Sequence, residues 1–320
     1  MNVVFVGTPE FAVPSLSSLA MSAHKIIAVV TQPDRPKGRS KMPSPPPVKE
    51  AALKLGLKIL QPVNINNEEV VKQLQYFSPD CIVVVAFGQF LSHSILRIPR
   101  YQCINIHASL LPKFRGAAPI HHAIICGEKI TGVTAVVMTA KMDAGDIIVQ
   151  KATPIFPDEN AEELGKRLAS MGAELLIEAL NLIETGKVTY TEQDEIRVSF
   201  APKLEKEDGL ISWSQETEKI YNRIRGMTPS PGAYTYYYRK NSSQEKKRII
   251  ILKTQIHHGS EIKTSLSPGT FVEIASCGIH VATADGFLCI TRLQPEGKRD
   301  MDVQEYARGH KIAVNDMFIS

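Results

Sequence analysis

Three polar side chains at alternate positions interrupt an apolar segment near the middle of the chain. In the segment 103–109, the side chains of Asn105, His107 and Ser109 would point to the same side of a β-strand. An asparagine amide donates hydrogen bonds without charge, and histidine exchanges a proton near neutral pH. This combination suits attack on a carbonyl carbon whose oxygen becomes negatively charged. The alternative interpretation is a set of hydrogen-bonded core residues.

A carboxylate that could complete such a site lies in the segment Met-Asp-Ala-Gly-Asp-Ile-Ile, residues 142–148. Asp143 falls in a glycine-containing turn between two apolar runs, from where it could meet His107 and stabilise its protonated ring. Asp146 is a competing candidate, although we interpret it as the start of the next element. The sequence has no serine or cysteine nucleophile elbow and no His-Glu-x-x-His motif. It therefore favours direct transfer between two substrates over a covalent enzyme intermediate.

The elements that would position these residues alternate between short apolar runs and segments of helical spacing. Predicted strands are Val3–Val6, Ile26–Val30, Lys58–Leu60 and Cys81–Ala86, and predicted helices are Glu10–Met21, Val48–Leu55, Glu68–Gln75 and Ala161–Thr185. Strands that are apolar on both faces and alternate with helices predict a Rossmann-like parallel sheet covered on both sides. Ligands of such sheets bind at the carboxyl ends of the strands, where Asn105 and His107 would lie. Gly7-Thr8-Pro9 lacks a full phosphate-binding fingerprint, so no dinucleotide is expected.

The pattern changes after residue 189. Residues 190–206 are polar without a long period and predict a linker, and Trp213–Ile224 predicts a short amphipathic helix. Five short β-type runs separated by turn signals then predict a small barrel or sandwich, namely Ala233–Tyr238, Arg248–Lys253, Thr270–Ile274, Gly278–Ala282 and Phe287–Leu293. The expected organisation is a catalytic domain at 1–189, a linker at 190–206 and a C-terminal domain at 207–320.

The composition limits which classes of protein the chain can belong to. The 320 residues carry a net charge of +4 and five scattered cysteines, with no Cys-x-x-Cys pair. This argues against a disulfide framework and against a structural zinc site, and it predicts reduced thiols in a cytoplasmic protein. The N-terminal run lacks the basic start of a signal peptide, and no apolar stretch approaches the roughly 18 residues of a membrane span.

Several motifs together resemble the folate-dependent formyltransferase family. They are Asn105-Ile-His107-Ala-Ser109-Leu-Leu-Pro112, Arg115-Gly116-Ala-Ala-Pro119 and Asp143-Ala-Gly145-Asp146, with further matches at 7–12, 31–39, 42–45, 201–203, 224–226, 231–234 and 293–298. The resemblance spans nearly the whole chain. It implies a Rossmann-like formyltransferase domain followed by a small OB-type β-barrel. We expect a monomer and no metal.

The resemblance also implies the reaction and the role of each residue. A formyl group would pass from 10-formyltetrahydrofolate to an amine. Asn105 would hydrogen-bond the developing oxyanion, and His107 with Asp143 would stabilise it and move protons, with Asp143 ordering a relay water. The turn Ser109-Leu110-Leu111-Pro112 would bind folate, and the backbone of Phe87, Gly88 and Gln89 would border its pterin ring.

Two basic segments bear on the identity of the amine. The proline-rich segment 34–49 contains Arg35, Lys37, Arg39 and Lys41, and the predicted barrel contains Lys246, Lys247 and Arg248. Such clusters can bind phosphate groups, or their cations can simply lie in solvent-exposed turns. The resemblance implies that the acceptor is the α-amino group of methionine esterified to initiator tRNA, used in translation initiation. The alternatives are a formyltransferase for a small amine, such as a nucleotide or an amino-sugar nucleotide, and a non-enzymatic RNA-binding protein.

Overall fold

The computed structural model describes residues 1–36, 42–238, 246–256 and 266–320, which form two compact units. Unit 1 comprises Met1–Pro119, Ile130–Pro154 and Gly165–Pro202. Unit 2 comprises Ile120–Lys129, Ile155–Leu164 and Lys203–Ser320, so it includes two short stretches that lie between segments of unit 1 in the chain.

Unit 1 is built on a seven-stranded sheet. Its strands are β1 (Asn2–Gly7), β2 (Lys25–Val30), β5 (Ile59–Leu60), β6 (Cys81–Val85), β7 (Gln102–His107), β8 (Ile130–Val137) and β9 (Ile147–Pro154), in the order β5-β2-β1-β6-β7-β8-β9. A separate two-residue ladder pairs β3 (Arg35–Pro36) with β4 (Pro43–Ser44). The first five strands of the order are parallel to one another, whereas β8 is antiparallel to both β7 and β9, so that β9 runs in the direction of the first five. The predicted Rossmann-like class is confirmed, with a mixed rather than a wholly parallel sheet.

Among the described residues, six α-helices separate or follow these strands along the chain. They are α1 (Val13–Ala20), α2 (Pro47–Lys54), α3 (Glu68–Phe77), α4 (His93–Leu96), α5 (Pro119–Ile125) and α6 (Ala161–Glu184). The start of α6 shows why the chain becomes helical there. The Asn160 side chain accepts from the backbone N–H groups of Glu162 and Glu163, and the Glu163 carboxylate accepts in return from the Asn160 N–H. This reciprocal cap satisfies amide groups that the first helical turn leaves unpaired.

The candidate site lies where two central strands end. β6 and β7 are parallel and in register, with Val84 opposite Asn105. Every residue of β6 is buried, because its continuous apolar sequence packs on both faces of the sheet. The residues that follow β6 therefore reach the same edge of the sheet as the last residues of β7.

Unit 2 contains a closed β-barrel. Its elements are α7 (Thr217–Met227), β10 (Ala233–Tyr238), β11 (Lys247–Gln255), β12 (Phe271–Ala275), β13 (Gly278–Ala282), β14 (Phe287–Pro295), β15 (Met301–Asp302), α8 (Val303–His310) and β16 (Met317–Ile319). The sheet order is β12-β13-β14-β11-β10-β16, and β15 adds to β14. Closure follows because Thr270, directly before β12, pairs with Met317 of β16. The predicted small barrel is thereby confirmed.

The barrel core explains where α7 begins. The sequence predicted a helix from Trp213, whereas α7 starts at Thr217. Trp213 instead stacks on Phe318 and donates its indole N–H to the Thr235 hydroxyl inside the barrel. Its apolar spacing thus reflected barrel packing and not a helical face. No helix in the described part of the chain is long and apolar enough to cross a bilayer.

Candidate active site

The structure brings Asn105, His107 and Asp143 together at the end of β7. The Asn105 Nδ2 donates to Asp143 Oδ1 at 3.3 Å, and His107 Nδ1 lies 3.6 Å from Asp143 Oδ2. His107 is only 5% exposed, while the side chains of Asn105 and Asp143 are half-buried and reach the surface. The three side chains therefore form one cluster with a neutral donor, a titratable ring and a carboxylate.

The contacts of His107 define which ring nitrogen carries the proton in the neutral side chain. Nε2 lies 2.9 Å from the carbonyl oxygen of Phe114. A carbonyl oxygen only accepts, so Nε2 carries the hydrogen and Nδ1 carries the lone pair that faces Asp143. A hydrogen on Nδ1 would point at the Asp143 carboxylate, whose Oδ2 lies 3.6 Å away.

The backbone around Asp143 is held in an unusual conformation. Asp143 has a φ of +51°, in the left-handed region that aspartate and asparagine tolerate better than most residues. Its Oδ2 accepts from the Gly116 N–H at 2.9 Å. Gly145 follows without a side chain because a Cβ there would lie 2.0 Å from the carbonyl oxygen of Val137. The carboxylate is thus held by hydrogen bonds from Asn105 and Gly116, while Gly145 lets the turn lie close to β8.

A buried glutamine that the sequence did not single out supports the same turn. Gln193 Nε2 donates to the carbonyl oxygens of Asp143 and Gly145, both at 2.7 Å. Its Oε1 accepts from the Arg115 guanidinium at 2.9 and 3.0 Å. Gln193 lies in the segment expected to be a linker, and only its tertiary contacts identify it.

The Arg115 guanidinium is itself buried and paired. Glu195 accepts from it at 2.8 Å, and this hydrogen bond is the main reason why the pKa of the Glu195 carboxyl is lowered. The backbone of Arg115 also pairs with Ser199 and Ala201. The polar segment after residue 190 therefore packs against one side of the site and is more than a linker between domains.

The predicted folate turn Ser109–Pro112 is a tight, internally bonded structure. The Ser109 hydroxyl donates to the Lys113 carbonyl oxygen at 2.6 Å, so it serves the turn and is not bonded to Asn105 or His107. Thr134 Oγ1 donates to the Ser109 carbonyl and accepts from the Leu111 N–H. Leu111 is buried, while Leu110 and Pro112 are half-buried.

The segment Phe87–Gln89 follows β6 and presents backbone to solvent. The Phe87 side chain is buried in the core, and its carbonyl oxygen accepts from Thr8 and Gln32. The Gln89 side chain is bonded to the backbone of Val63 and Ile65. Gly88 is exposed with a φ of +83°, and a Cβ there would have no atom within 4 Å. Any ligand contact in this segment would therefore be made chiefly by the backbone.

The first basic cluster is only partly described. Arg35 is exposed and donates to Gln32 Oε1 at 3.1 Å. Lys37, Arg39 and Lys41 lie outside the described residues. Lys49, which closes this segment, is bound to Asp34 at 2.7 Å, and its hydrogen bond is the main reason why the pKa of Asp34 is lowered.

The second basic cluster does not share one face. Lys246 and Lys247 are exposed, but Arg248 is half-buried, with its guanidinium carbon 4.0 Å above the centre of the Tyr234 ring. Because strand side chains alternate, Lys247 and Arg248 point to opposite faces of β11. The two lysines are therefore the more accessible cations of this cluster.

The close approach of Gly116 to the segment after residue 190 gives a first prediction. Gly116 has a φ of +126°, and a Cβ there would lie 2.6 Å from the Ala201 carbonyl oxygen. We expect Gly116→Ala to lower the free energy of unfolding by roughly 1–3 kcal/mol. We also expect lower activity, because relieving the contact would displace the N–H of residue 116 that donates to Asp143. Chemical denaturation measures the first effect.

The matched control is Gly186→Ala. Gly186 also has a positive φ, +65°, but a Cβ there would meet nothing within 4 Å. Its cost should be close to 1 kcal/mol, about that of a left-handed residue alone, with activity retained. Equal losses of stability in the two variants would contradict the packing described for Gly116.

Comparisons with known proteins agree with this arrangement. The family model described as formyl transferase matches residues 1–180, and the model of the formyl transferase C-terminal domain matches residues 203–311. Two similar relatives are methionyl-tRNA formyltransferases. The one from Geotalea uraniireducens is 45% identical over 98% of this chain and 96% of its own length, and the one from Alkaliphilus metalliredigens is 46% identical over the same shares.

Solved structures show the same fold at low sequence identity. The N-formyltransferase of Helicobacter canadensis, in complex with folinic acid and dTDP-3-aminofucose, aligns with a TM-score of 0.64 at 18% identity. The alignment covers 90% of this chain and 97% of that one. With family models matching both parts and full-length relatives above 40% identity, the chain belongs to the formyl transferase family.

Proposed function

We propose that this chain transfers a formyl group from 10-formyltetrahydrofolate to the α-amino group of methionine on initiator tRNA, for translation initiation. The convergence of Asn105, His107 and Asp143 at one strand end is the observation that supports formyl transfer. Full-length similarity to proteins named methionyl-tRNA formyltransferase supports the choice of acceptor.

The residues present suit a folate at this edge of the sheet. Exposed backbone at Ala86 and Gly88, with open space beside Gly88, can hydrogen-bond the edge of a pterin ring. Half-buried Leu110 and Pro112 offer apolar contacts on the neighbouring turn. The folate would supply an activated formyl carbon and would receive a proton on its departing nitrogen.

In the proposed reaction, a C–N bond forms between the amine and the formyl carbon, and the bond from that carbon to the donor nitrogen breaks. The Asn105 side-chain amide donates a hydrogen bond to the formyl oxygen as negative charge develops there. The amine loses a proton, and His107 takes it up at Nδ1, directly or through a water held by Asp143. His107 then gives this proton to the departing nitrogen of the folate. Asp143 stabilises the protonated ring in between.

The acceptor would be held through its phosphates. Arg35, Lys246 and Lys247 are exposed cations, and Lys37, Arg39 and Lys41 extend the first cluster in the sequence. Contacts of this kind release counterions, so binding should weaken steeply with salt.

One assay tests the proposal directly. Formyl transfer from 10-formyltetrahydrofolate is measured with methionyl-initiator tRNA, uncharged tRNA, free methionine and glycinamide ribonucleotide as acceptors. Transfer to the charged initiator tRNA alone is the expected result. Transfer to the small amine would replace the proposal by the alternative acceptor class. Binding of tRNA without transfer to any acceptor would replace it by an RNA-binding function.

The barrel lysines give a second prediction. Lys247→Ala should weaken tRNA binding and reduce the slope of log Kobs against log salt by about one. Filter binding at several salt concentrations measures both. Lys253→Ala is the matched control. Lys253 is exposed towards the other end of the same strand, and its replacement removes the same charge. Equal effects of the two variants would show that net charge and not position decides binding.

A further inference from the structure

A group of potential metal ligands lies on the outer face of the barrel, in unit 2. Glu273 of β12 pairs directly with His280 of β13, and His280 pairs directly with Cys289 of β14. Directly opposed residues on neighbouring antiparallel strands hold their side chains on one face, with Cβ atoms about 5 Å apart. The neighbours of His280 and Cys289 along their strands are in the barrel core, so this face is the outer one.

Cys277 completes the group from the turn between β12 and β13. The donor atoms of Cys277, His280 and Cys289 all lie within 4.8 Å of one another. The distance from Cys277 Sγ to His280 Nε2 is 3.7 Å. Tetrahedral zinc with ordinary Zn–S and Zn–N bond lengths separates a sulfur from a nitrogen by about 3.6 Å. These two atoms therefore stand almost at the spacing that a shared zinc ion requires.

The orientation of His280 is fixed by its other nitrogen. Nδ1 lies 3.1 Å from Glu273 Oε2, which directs Nε2 towards Cys277. The ring also packs against Phe287, with centroids 4.9 Å apart. A carboxylate on the far nitrogen of a histidine is the usual support of a metal-binding imidazole.

A glycine makes room for the buried thiol. A Cβ at Gly278 would lie 2.5 Å from Cys289 Sγ and 2.4 Å from the Ile290 carbonyl oxygen. Cys289 is buried and weakly contacts the Cys277 carbonyl through its sulfur at 3.9 Å, whereas Cys277 is exposed. The group is thus open to solvent on the Cys277 side, where water could occupy a fourth position.

We propose that Cys277, His280 and Cys289 bind a thiophilic cation, Zn²⁺, with Glu273 as the residue that positions His280. Two thiolates and an imidazole are the donors that zinc prefers. The ion would fasten the β12–β13 hairpin to β14. The expectation of no structural zinc site rested on the absence of a Cys-x-x-Cys pair, whereas here the spacing is Cys-x-x-His and the third ligand comes from the next strand.

Direct metal binding tests the proposal on the full chain. Protein stripped with a chelator is titrated with Zn²⁺ in competition with a chromophoric chelator, and one ion per chain is expected. Cys277→Ser, at the exposed ligand, should weaken binding by more than about 100-fold, and Glu273→Gln by about 10–100-fold, as for other outer residues. Cys126→Ser, at an exposed cysteine outside the group, should bind like the unmodified chain.

Cobalt gives an independent signature that a merely structural role of these residues would not produce. Co²⁺ should give sulfur-to-metal charge-transfer absorption and the intense visible bands of a tetrahedral site, both lost in Cys277→Ser. Absence of stoichiometric Zn²⁺ binding would overturn the proposal, as would equal affinity in Cys277→Ser. A disulfide between Cys277 and Cys289 in protein kept under reducing conditions would also overturn it.

Discussion

Replacing Asp143 by asparagine is expected to lower kcat for formyl transfer by on the order of 10³-fold. The neutral amide cannot stabilise a proton on His107 Nδ1, which lies 3.6 Å from Asp143 Oδ2 in the structure. It also cannot accept at both positions that now receive hydrogen bonds from Asn105 and Gly116. Single-turnover formylation of methionyl-initiator tRNA measures the chemical step, and tRNA affinity, measured separately, should change little.

Asparagine is the informative replacement because it leaves the backbone undisturbed. The φ of Asp143 is +51°, which asparagine adopts more readily than alanine does. A loss of activity in Asp143→Asn can therefore be attributed to the charge and hydrogen bonding of the side chain. Thermal unfolding of the variant should show little change, which would verify this attribution.

Asp146→Asn is the matched control. Asp146 lies in the same turn, is exposed, and has the same formal charge. Its replacement should leave kcat within about threefold of the unmodified chain, since surface changes away from the site have small effects. Full activity of Asp143→Asn would exclude Asp143 from the mechanism. A large loss of activity in Asp146→Asn would show that Asp146, and not Asp143, is the catalytic carboxylate.

Much of the fold could be predicted because its strands are patterned locally. β6 has five buried apolar residues in sequence, and β13 begins and ends where its predicted strand does. The alternation of Asn105 and His107 at the end of such a run placed both side chains on one face. The glycine-containing turn between two apolar runs placed Asp143 opposite them, and the structure brings all three into contact.

Other features depend on which strands pair, and this is not written in any local pattern. An apolar run such as Val133–Val137 suits a parallel or an antiparallel partner equally, so the reversed direction of β8, which is antiparallel to both β7 and β9, could not be foreseen. Gln193 is polar in a polar segment and acquires its role only when that segment folds back on Arg115 and the Asp143 turn. The same reasoning covers the cysteine–histidine group, which depends on the register of β13 and β14.

Gln193 also rigidifies the turn that carries Asp143. Its side chain bonds two carbonyl oxygens of the turn and a buried guanidinium, and each of these groups would be costly to leave unpaired. The turn therefore resists movement even though Asp143 itself is half-buried and reaches solvent. A carboxylate held in this way can face a substrate without a compensating rearrangement during the reaction.

Asn105→Leu is expected to lower kcat by about 10²–10³-fold, as the loss of one oxyanion donor does in other acyl-transfer sites. Leucine has nearly the same size but donates no hydrogen bond. The KM for the folate should change little, because the bond to the formyl oxygen strengthens only as charge develops. Steady-state kinetics with varied folate and saturating tRNA separate the two parameters.

The double variant Asn105→Leu/Asp143→Asn distinguishes two roles for Asn105. Its amide donates to Asp143 Oδ1 at 3.3 Å, so it could act only by positioning that carboxylate. In that case the double variant should be no slower than Asp143→Asn alone. Direct donation to the formyl oxygen requires the double variant to be slower than either single variant, because each change removes a separate stabilisation of the transition state. We expect the second result, and equality with Asp143→Asn would reduce Asn105 to a positioning residue.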